Sequence, residues 1–174
     1  AYDVIVLRSM WDYHLHPTEF EDWLDLLASV RPPVWNPVQL ARWNTNKLYL
    51  RDLHDRGVPI VPTTWHETGD EPDLPALMEV HGWDEVVVKP LISSTAFSTW
   101  RITREGARAE EPALHALLRE RAAMVQQYQP EIVAEGEWST TFIDHELSHI
   151  VLKRAAAGDF RVQEEFGGTT HLVL

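Results

Sequence analysis

A chain of 174 residues, 44% hydrophobic and 24% charged, has the makeup of a folded protein with one core or two small lobes, and disorder is excluded. It has no cysteine, which removes disulfide and thiolate chemistry; no apolar run long enough to span a bilayer and no leader pattern over residues 1–30, so a cytoplasmic location is expected. Fifteen Lys and Arg against 27 Asp and Glu give a formal charge of −12, which argues against nucleic-acid or anionic-membrane partners that need a broad basic surface.

An uncompensated phosphate–carboxylate pair costs about 4 kcal/mol at intermediate dielectric. A polyanion site in this chain must therefore show itself as isolated cations on otherwise ordinary segments.

In chain order, "YDVIVLRS" reads as a buried parallel strand that ends in Arg8, at the end where open α/β sheets bind ligands. "HPTEFEDWLDLLASV" has Pro17 at a helix start and Phe20, Trp23, Leu24, Leu27 and Val30 at helical spacing, so a crossover helix is expected. "RPPVWNP" reads as a loop. "TNKLYLRDLHDRG" reads as a helix capped by Asn44 or Thr45 and ended by Gly57. "VPIVPTTW" is a short strand, "DLPALMEVHG" a short helix and "DEVVVKP" a strand closing on Lys89. "SSTAFSTWRI" is a turn into a further strand, "EPALHALLRERA" a helix, and "AMVQQYQPEIV" a strand interrupted by Pro130. "AAAGDFRVQEEFGG" reads as a loop with a strand inside it.

Between these lies "EWSTTFIDHELSHIVLKR", which contains His145-Glu146-x-x-His149. On a helix this spacing stacks two imidazoles beside a carboxylate, as in zinc peptidases. The β-branched Thr140, Thr141, Ile143, Ile150 and Val151 instead favour two strands with Asp144-His145-Glu146 as the turn, which would destroy the shared face. Only Glu164, Glu165 or His171 offer themselves as a third ligand. The zinc peptidase stays open as the alternative.

Laid in order, Arg8, "WNP", Lys47, "VVVKP", "VQQYQPEI", "EGEWS", "VLKR" and "GDFRVQEEFGG" resemble the ATP-grasp enzymes of the glutathione-synthetase-like branch, nearest in pattern to the cycloserine-forming ligases. The resemblance runs from about Asp3 to Gly168. It implies an α/β (α+β) fold in which a nucleotide is held between two α+β lobes, preceded by the end of a parallel α/β domain. Residues 1–43 would end that N-terminal substrate domain, 44–123 would form the small lobe and 124–174 would begin the large one. ATP and magnesium are the implied cofactors. The implied activity is ADP-forming carboxylate–amine ligation through an acyl phosphate, with a small-molecule carboxylate and amine as partners; a homo-oligomer and a non-catalytic nucleotide-binding lobe stay open.

By the same resemblance Lys47 and Lys89 contact phosphates, Gln126, Gln127 and Tyr128 line the adenine hinge, and Glu137 accepts from ribose hydroxyls. Lys153 and Arg161 neutralise the transferring phosphate and acyl-phosphate oxygens, while Arg8, with Trp11, Asp12 and Tyr13, meets the acceptor substrate. Gly158, Gly167 and Gly168 serve tight or mobile backbone. The chain departs from glutathione synthetases in carrying "LISSTAFST" after Lys89, where hydroxyls must replace a glycine-rich cradle. The family's magnesium ligands are expected beyond Leu174 and a strand and helix before Ala1, so the chain reads as the middle of a larger enzyme.

Overall fold

The structure is a computed structural model that describes residues 2–8, 10, 12–94 and 96–174. It divides into two compact units, Ala1–Gln127 and Tyr128–Leu174.

The first unit opens with β1 (Ile5–Val6), α1 (Pro17–Ser29), β2 (Val34–Trp35) and α2 (Val38–Thr45). β1 and β2 pair in parallel, Ile5 with Val34 and Val6 with Trp35, so α1 is the expected crossover helix. Its stripe buries Leu24 and Leu27 against Leu7 and Val38, with Phe20, Val34 and Ala41 packed around them. "RPPVWNP" is thus not all loop: the parallel pairing draws Val34 and Trp35 into a strand, which periodicity over two residues cannot reveal. Asn44 and Thr45 do not cap the next helix. They end α2, and the following α3 (Tyr49–Asp55) is entered through Asn46, whose Oδ1 accepts from the Leu48 N–H at 3.0 Å.

The larger sheet of this unit contains β3 (Thr63–His66), β4 (Glu85–Pro90), β5 (Trp100–Thr103) and β6 (Ala123–Gln127) in the order β3-β6-β4-β5, antiparallel throughout. α4 (Leu74–His81) and α5 (Ala107–Glu120) pack on one face. α4 starts where Asp73 accepts from the Ala76 N–H at 3.0 Å and stops at Gly82, whose φ of 68° few other residues adopt. Strand alternation sends Val86, Val88, Val125 and Ala123 into a core with Leu74, Met78, Leu114 and Leu118. The same alternation sends Lys89, Gln126 and Thr63 to the opposite face, because Val87, Gln126 and Thr63 are register partners across β4, β6 and β3.

The second unit begins with a helical turn, α6 (Glu131–Ala134), entered from Pro130. A three-stranded antiparallel sheet follows: β7 (Glu137–Ile143), β8 (Glu146–Arg154) and β9 (Thr169–Leu172). Between β8 and β9 the expected strand is absent among the described residues; Glu164–Phe166 form a 3-10 turn there. The hairpin reading of "DHELSH" holds. Ile143 pairs with Glu146 and Thr141 with His149, leaving Asp144 (φ 51°) and His145 (φ 67°) as a two-residue turn of the type that hairpin twist favours. His145 and His149 therefore share no helix face, and among the described residues no three His, Asp or Glu side chains are grouped to hold a metal. No helix of the described residues is long and apolar enough to cross a membrane.

Gly136 joins α6 to β7 at φ 106°, and a Cβ there would lie 2.7 Å from both Leu152 Cδ1 and the Lys153 carbonyl oxygen. Gly158 also has positive φ, 85°, but open space around it. Gly136→Ala is expected to destabilise by roughly 3 kcal/mol, strain plus overpacking, against about 1 kcal/mol for Gly158→Ala, strain alone. Urea titration of both variants checks this; equal losses would contradict the close approach at Gly136.

Candidate functional site

Lys47 lies on the short connection between α2 and α3, and its backbone N–H donates to the Leu91 carbonyl at 2.9 Å. That bond draws the start of α3 onto the loop that follows β4. Its side chain then reaches Ser93, donating from Nζ to the carbonyl oxygen at 2.7 Å and to Oγ at 2.8 Å. Burial, and then repulsion from the Lys89 ammonium, lower the Lys47 pKa from its usual 10.5 to about 8.

Lys89 sits on the sheet face opposite the helices. Its Nζ donates to Gln126 Oε1 at 2.8 Å, Gln126 Nε2 donates to Thr63 Oγ1 at 3.0 Å, and Thr63 Oγ1 donates to the Val61 carbonyl at 2.7 Å. This relay fixes which end of the Gln126 amide faces the lysine. Gln127, one residue on, points to the other side by strand alternation, and its N–H donates to the Pro62 carbonyl at 2.9 Å. Of the hinge glutamines in this unit, only Gln126 therefore shares a face with Lys89.

Arg8 lines a cavity of about 330 Å³ with Tyr13, Asn36, Asn44, Met10 and Phe20, and neither Lys47 nor Lys89 is part of that lining. Asn36 donates from Nδ2 to the Leu7 carbonyl at 3.3 Å, which aims its amide at the end of β1. Tyr13 lines the cavity and also donates its hydroxyl to the Ser93 carbonyl at 3.3 Å, the oxygen that Lys47 uses. Trp11, expected beside Arg8, lies outside the described residues.

In the second unit, Tyr128 meets Phe160 edge to face at 6.3 Å. Glu137 and Lys153 are register partners on β7 and β8, with Nζ 3.6 Å from Oε1. Arg161 engages Asp159 through two nitrogens, Nε to Oδ1 at 3.0 Å and Nη2 to Oδ2 at 2.7 Å, and its guanidinium carbon lies 3.6 Å from the centre of the Phe166 ring. The Arg161 guanidinium, joined by the Arg161 and Phe160 N–H groups, holds the Asp159 carboxyl down at about 2. A fork and a stacked ring leave this arginine little rotational freedom.

The sequence singled out both lysines and the arginines but not what holds them. Ser93, which accepts from Lys47, and Thr63, which backs the Gln126 amide, belong to this set; the "LISSTAFST" stretch was a signal for Ser93, and nothing marked Thr63.

The family of the D-cycloserine synthetase DcsG N-terminal domain matches residues 1–36. The cycloserine biosynthesis protein DcsG of Streptomyces lavendulae is 30% identical over 165 residues, covering 88% of this chain and 52% of that protein. The crystal structure of D-cycloserine synthetase DcsG superposes with a TM-score of 0.78 at 27% identity, over 98% of this chain and 56% of that one. An ATP-grasp protein with a RimK domain from Sphaerobacter thermophilus follows at 0.67 and 23%, over 87% and 55%. The chain has the ATP-grasp fold. Its resemblance to the cycloserine-forming type is borne out, and it spans about half the length of the curated relative that it matches.

The Lys47 shift carries a sign. Its folded pKa of about 8 lies below the unfolded 10.5, so the unfolded chain binds the extra proton between those values and stability rises with pH across that window. Relative to Lys47→Met, the wild-type chain is expected to gain on the order of 2 kcal/mol between about pH 7.5 and pH 10. Parallel denaturant titrations of the two proteins measure this; curves of equal pH dependence would contradict the buried ammonium.

Proposed function

We propose that this chain carries the nucleotide-binding part of an ADP-forming carboxylate–amine ligase. A substrate carboxylate attacks the γ-phosphorus of ATP, the bond to the bridging β,γ-oxygen breaks and ADP leaves. The resulting acyl phosphate is captured by an amine nitrogen, which expels inorganic phosphate and loses a proton. The observation that supports this most is the lysine pair: burying one ammonium near another is unfavourable unless a polyanion repays it, and a triphosphate is the polyanion that an ATP-grasp fold implies.

Lys47 and Lys89 would take phosphate oxygens as point charges, each already oriented by a neutral acceptor. Backbone groups of the segment Gln126, Gln127 and Tyr128 would meet the base edge, and Glu137 would accept from the ribose hydroxyls. Lys153 and Arg161 would face the charge that develops on the transferring phosphate. Because Asp159 and Phe166 hold Arg161 in place before any ligand arrives, little reorganisation would remain for the reaction itself. Arg8, at a cavity of about 330 Å³, would contact the acceptor substrate. As domains, residues 1–43 would belong to the substrate domain and the small lobe would begin at 44; because β6 pairs inside that lobe's sheet, the lobe would run to Gln127 instead of 123, and 128–174 would begin the large lobe.

Magnesium, when bound, would supply charge neutralisation at the transferring phosphate. Among the described residues no three His, Asp or Glu are grouped to hold that ion.

Lys89→Ala is expected to weaken binding of a non-hydrolysable ATP analogue at least tenfold while leaving the melting temperature of the free protein within a few degrees of wild type. Calorimetric titration measures the first and thermal melting the second. Unchanged affinity in the variant would remove Lys89 from the site, and no binding to wild type would remove the nucleotide reading.

A further inference from the structure

We infer that Ser93 is a positioning residue, one that aims the Lys47 ammonium and ties it to the wall of the Arg8 cavity through Tyr13. Ser93 is buried, 6% exposed, in the segment where this chain has hydroxyl residues after Lys89. It offers Lys47 two acceptors at once, its carbonyl at 2.7 Å and Oγ at 2.8 Å. The hydroxyl proton is occupied elsewhere, donated to the Pro90 carbonyl at 3.2 Å, so Oγ is left to face the ammonium as an acceptor. Pro90 is the residue after Lys89, and one serine thus bridges the backbone beside the second lysine to the side chain of the first.

The third arm is Tyr13. Its hydroxyl donates to the same Ser93 carbonyl at 3.3 Å, and its ring lines the cavity with Arg8 and Asn36. A carbonyl oxygen has two lone pairs and can serve both donors. The charged and titratable groups around this point include Lys47, Lys89, Tyr13 and Tyr49, with His14 and Arg8 beside Tyr13, and both tyrosines are pushed up by burial, so they stay neutral at neutral pH.

Ser93's importance for ligand binding rests on Lys47 serving phosphates as proposed above, whereas its hold on the ammonium does not. Two readouts separate these. By NMR, the Nζ titration of Lys47 in the free protein is expected to move to lower pH in Ser93→Ala, because an acceptor that favours the charged form is lost. In calorimetry, Ser93→Ala is expected to weaken the ATP analogue about tenfold in the wild-type background and to have no effect in Lys47→Met. An unmoved titration would overturn the positioning role whether or not nucleotide binds. So would a tenfold loss that persists in Lys47→Met, since Ser93 would then act through something other than this lysine. Absence of analogue binding by wild type, with the titration shifted as expected, would defeat the nucleotide reading and leave the Ser93–Lys47 contact standing.

Discussion

The first unit is organised around an unfavourable interaction, the partial burial of one ammonium group near a second. Lys47 is lowered to about 8 first by burial and then by Lys89. An isolated chain gains nothing from such a pair, since charged groups taken from water need strong compensation. What the fold supplies is oriented neutral dipoles: the carbonyl and hydroxyl of Ser93 for one lysine, and the Gln126 amide backed by Thr63 for the other. For Lys47, neutral acceptors fix the cation's direction without cancelling its charge, which preserves positive potential for an anionic ligand. The sheet makes this arrangement possible. Val86 and Val88 anchor β4 in the core against Leu114 and Leu118, and the intervening pleat positions carry Val87 and Lys89 to the other side.

The second unit handles its cations differently. Lys153 and Arg161 each have a carboxylate within reach, Glu137 and Asp159. The Arg161 arrangement is the more constrained, since Asp159 also accepts from two backbone N–H groups and so cannot swing away without losing all of them. A ligand approaching this arginine meets a guanidinium whose plane is already set by Asp159 and the Phe166 ring.

Legibility in the sequence followed the length scale of each signal. The crossover helix at 17–29 was readable because five apolar side chains recur at helical spacing, and the strand "EVVVKP" and the hairpin across residues 137–154 because β-branched residues crowd them. The hairpin also removed the zinc reading, since β-branched composition outweighed a four-residue spacing motif. What escaped was decided by partners distant in sequence. Val34 and Trp35 are a strand only because Ile5 and Val6 lie beside them, and Asn44 and Thr45 end one helix instead of capping the next. In the site, Lys47 and Lys89 stood out as cations in recognisable surroundings. Ser93 did not, because a serine in a loop has no pattern until the fold brings an ammonium to it across 46 positions.

The central claim is that a half-buried Lys47 with a lowered pKa awaits a polyanion. Its most direct measurement is proton uptake on binding of the ATP analogue at about pH 8.5, read by calorimetry in buffers of different ionisation enthalpy. With a pKa of about 8, much of Lys47 is neutral at that pH, and an arriving phosphate should pull a fraction of a proton onto it. Uptake that disappears in Lys47→Met is the predicted result. Binding without proton uptake, or uptake that persists in the variant, would contradict it.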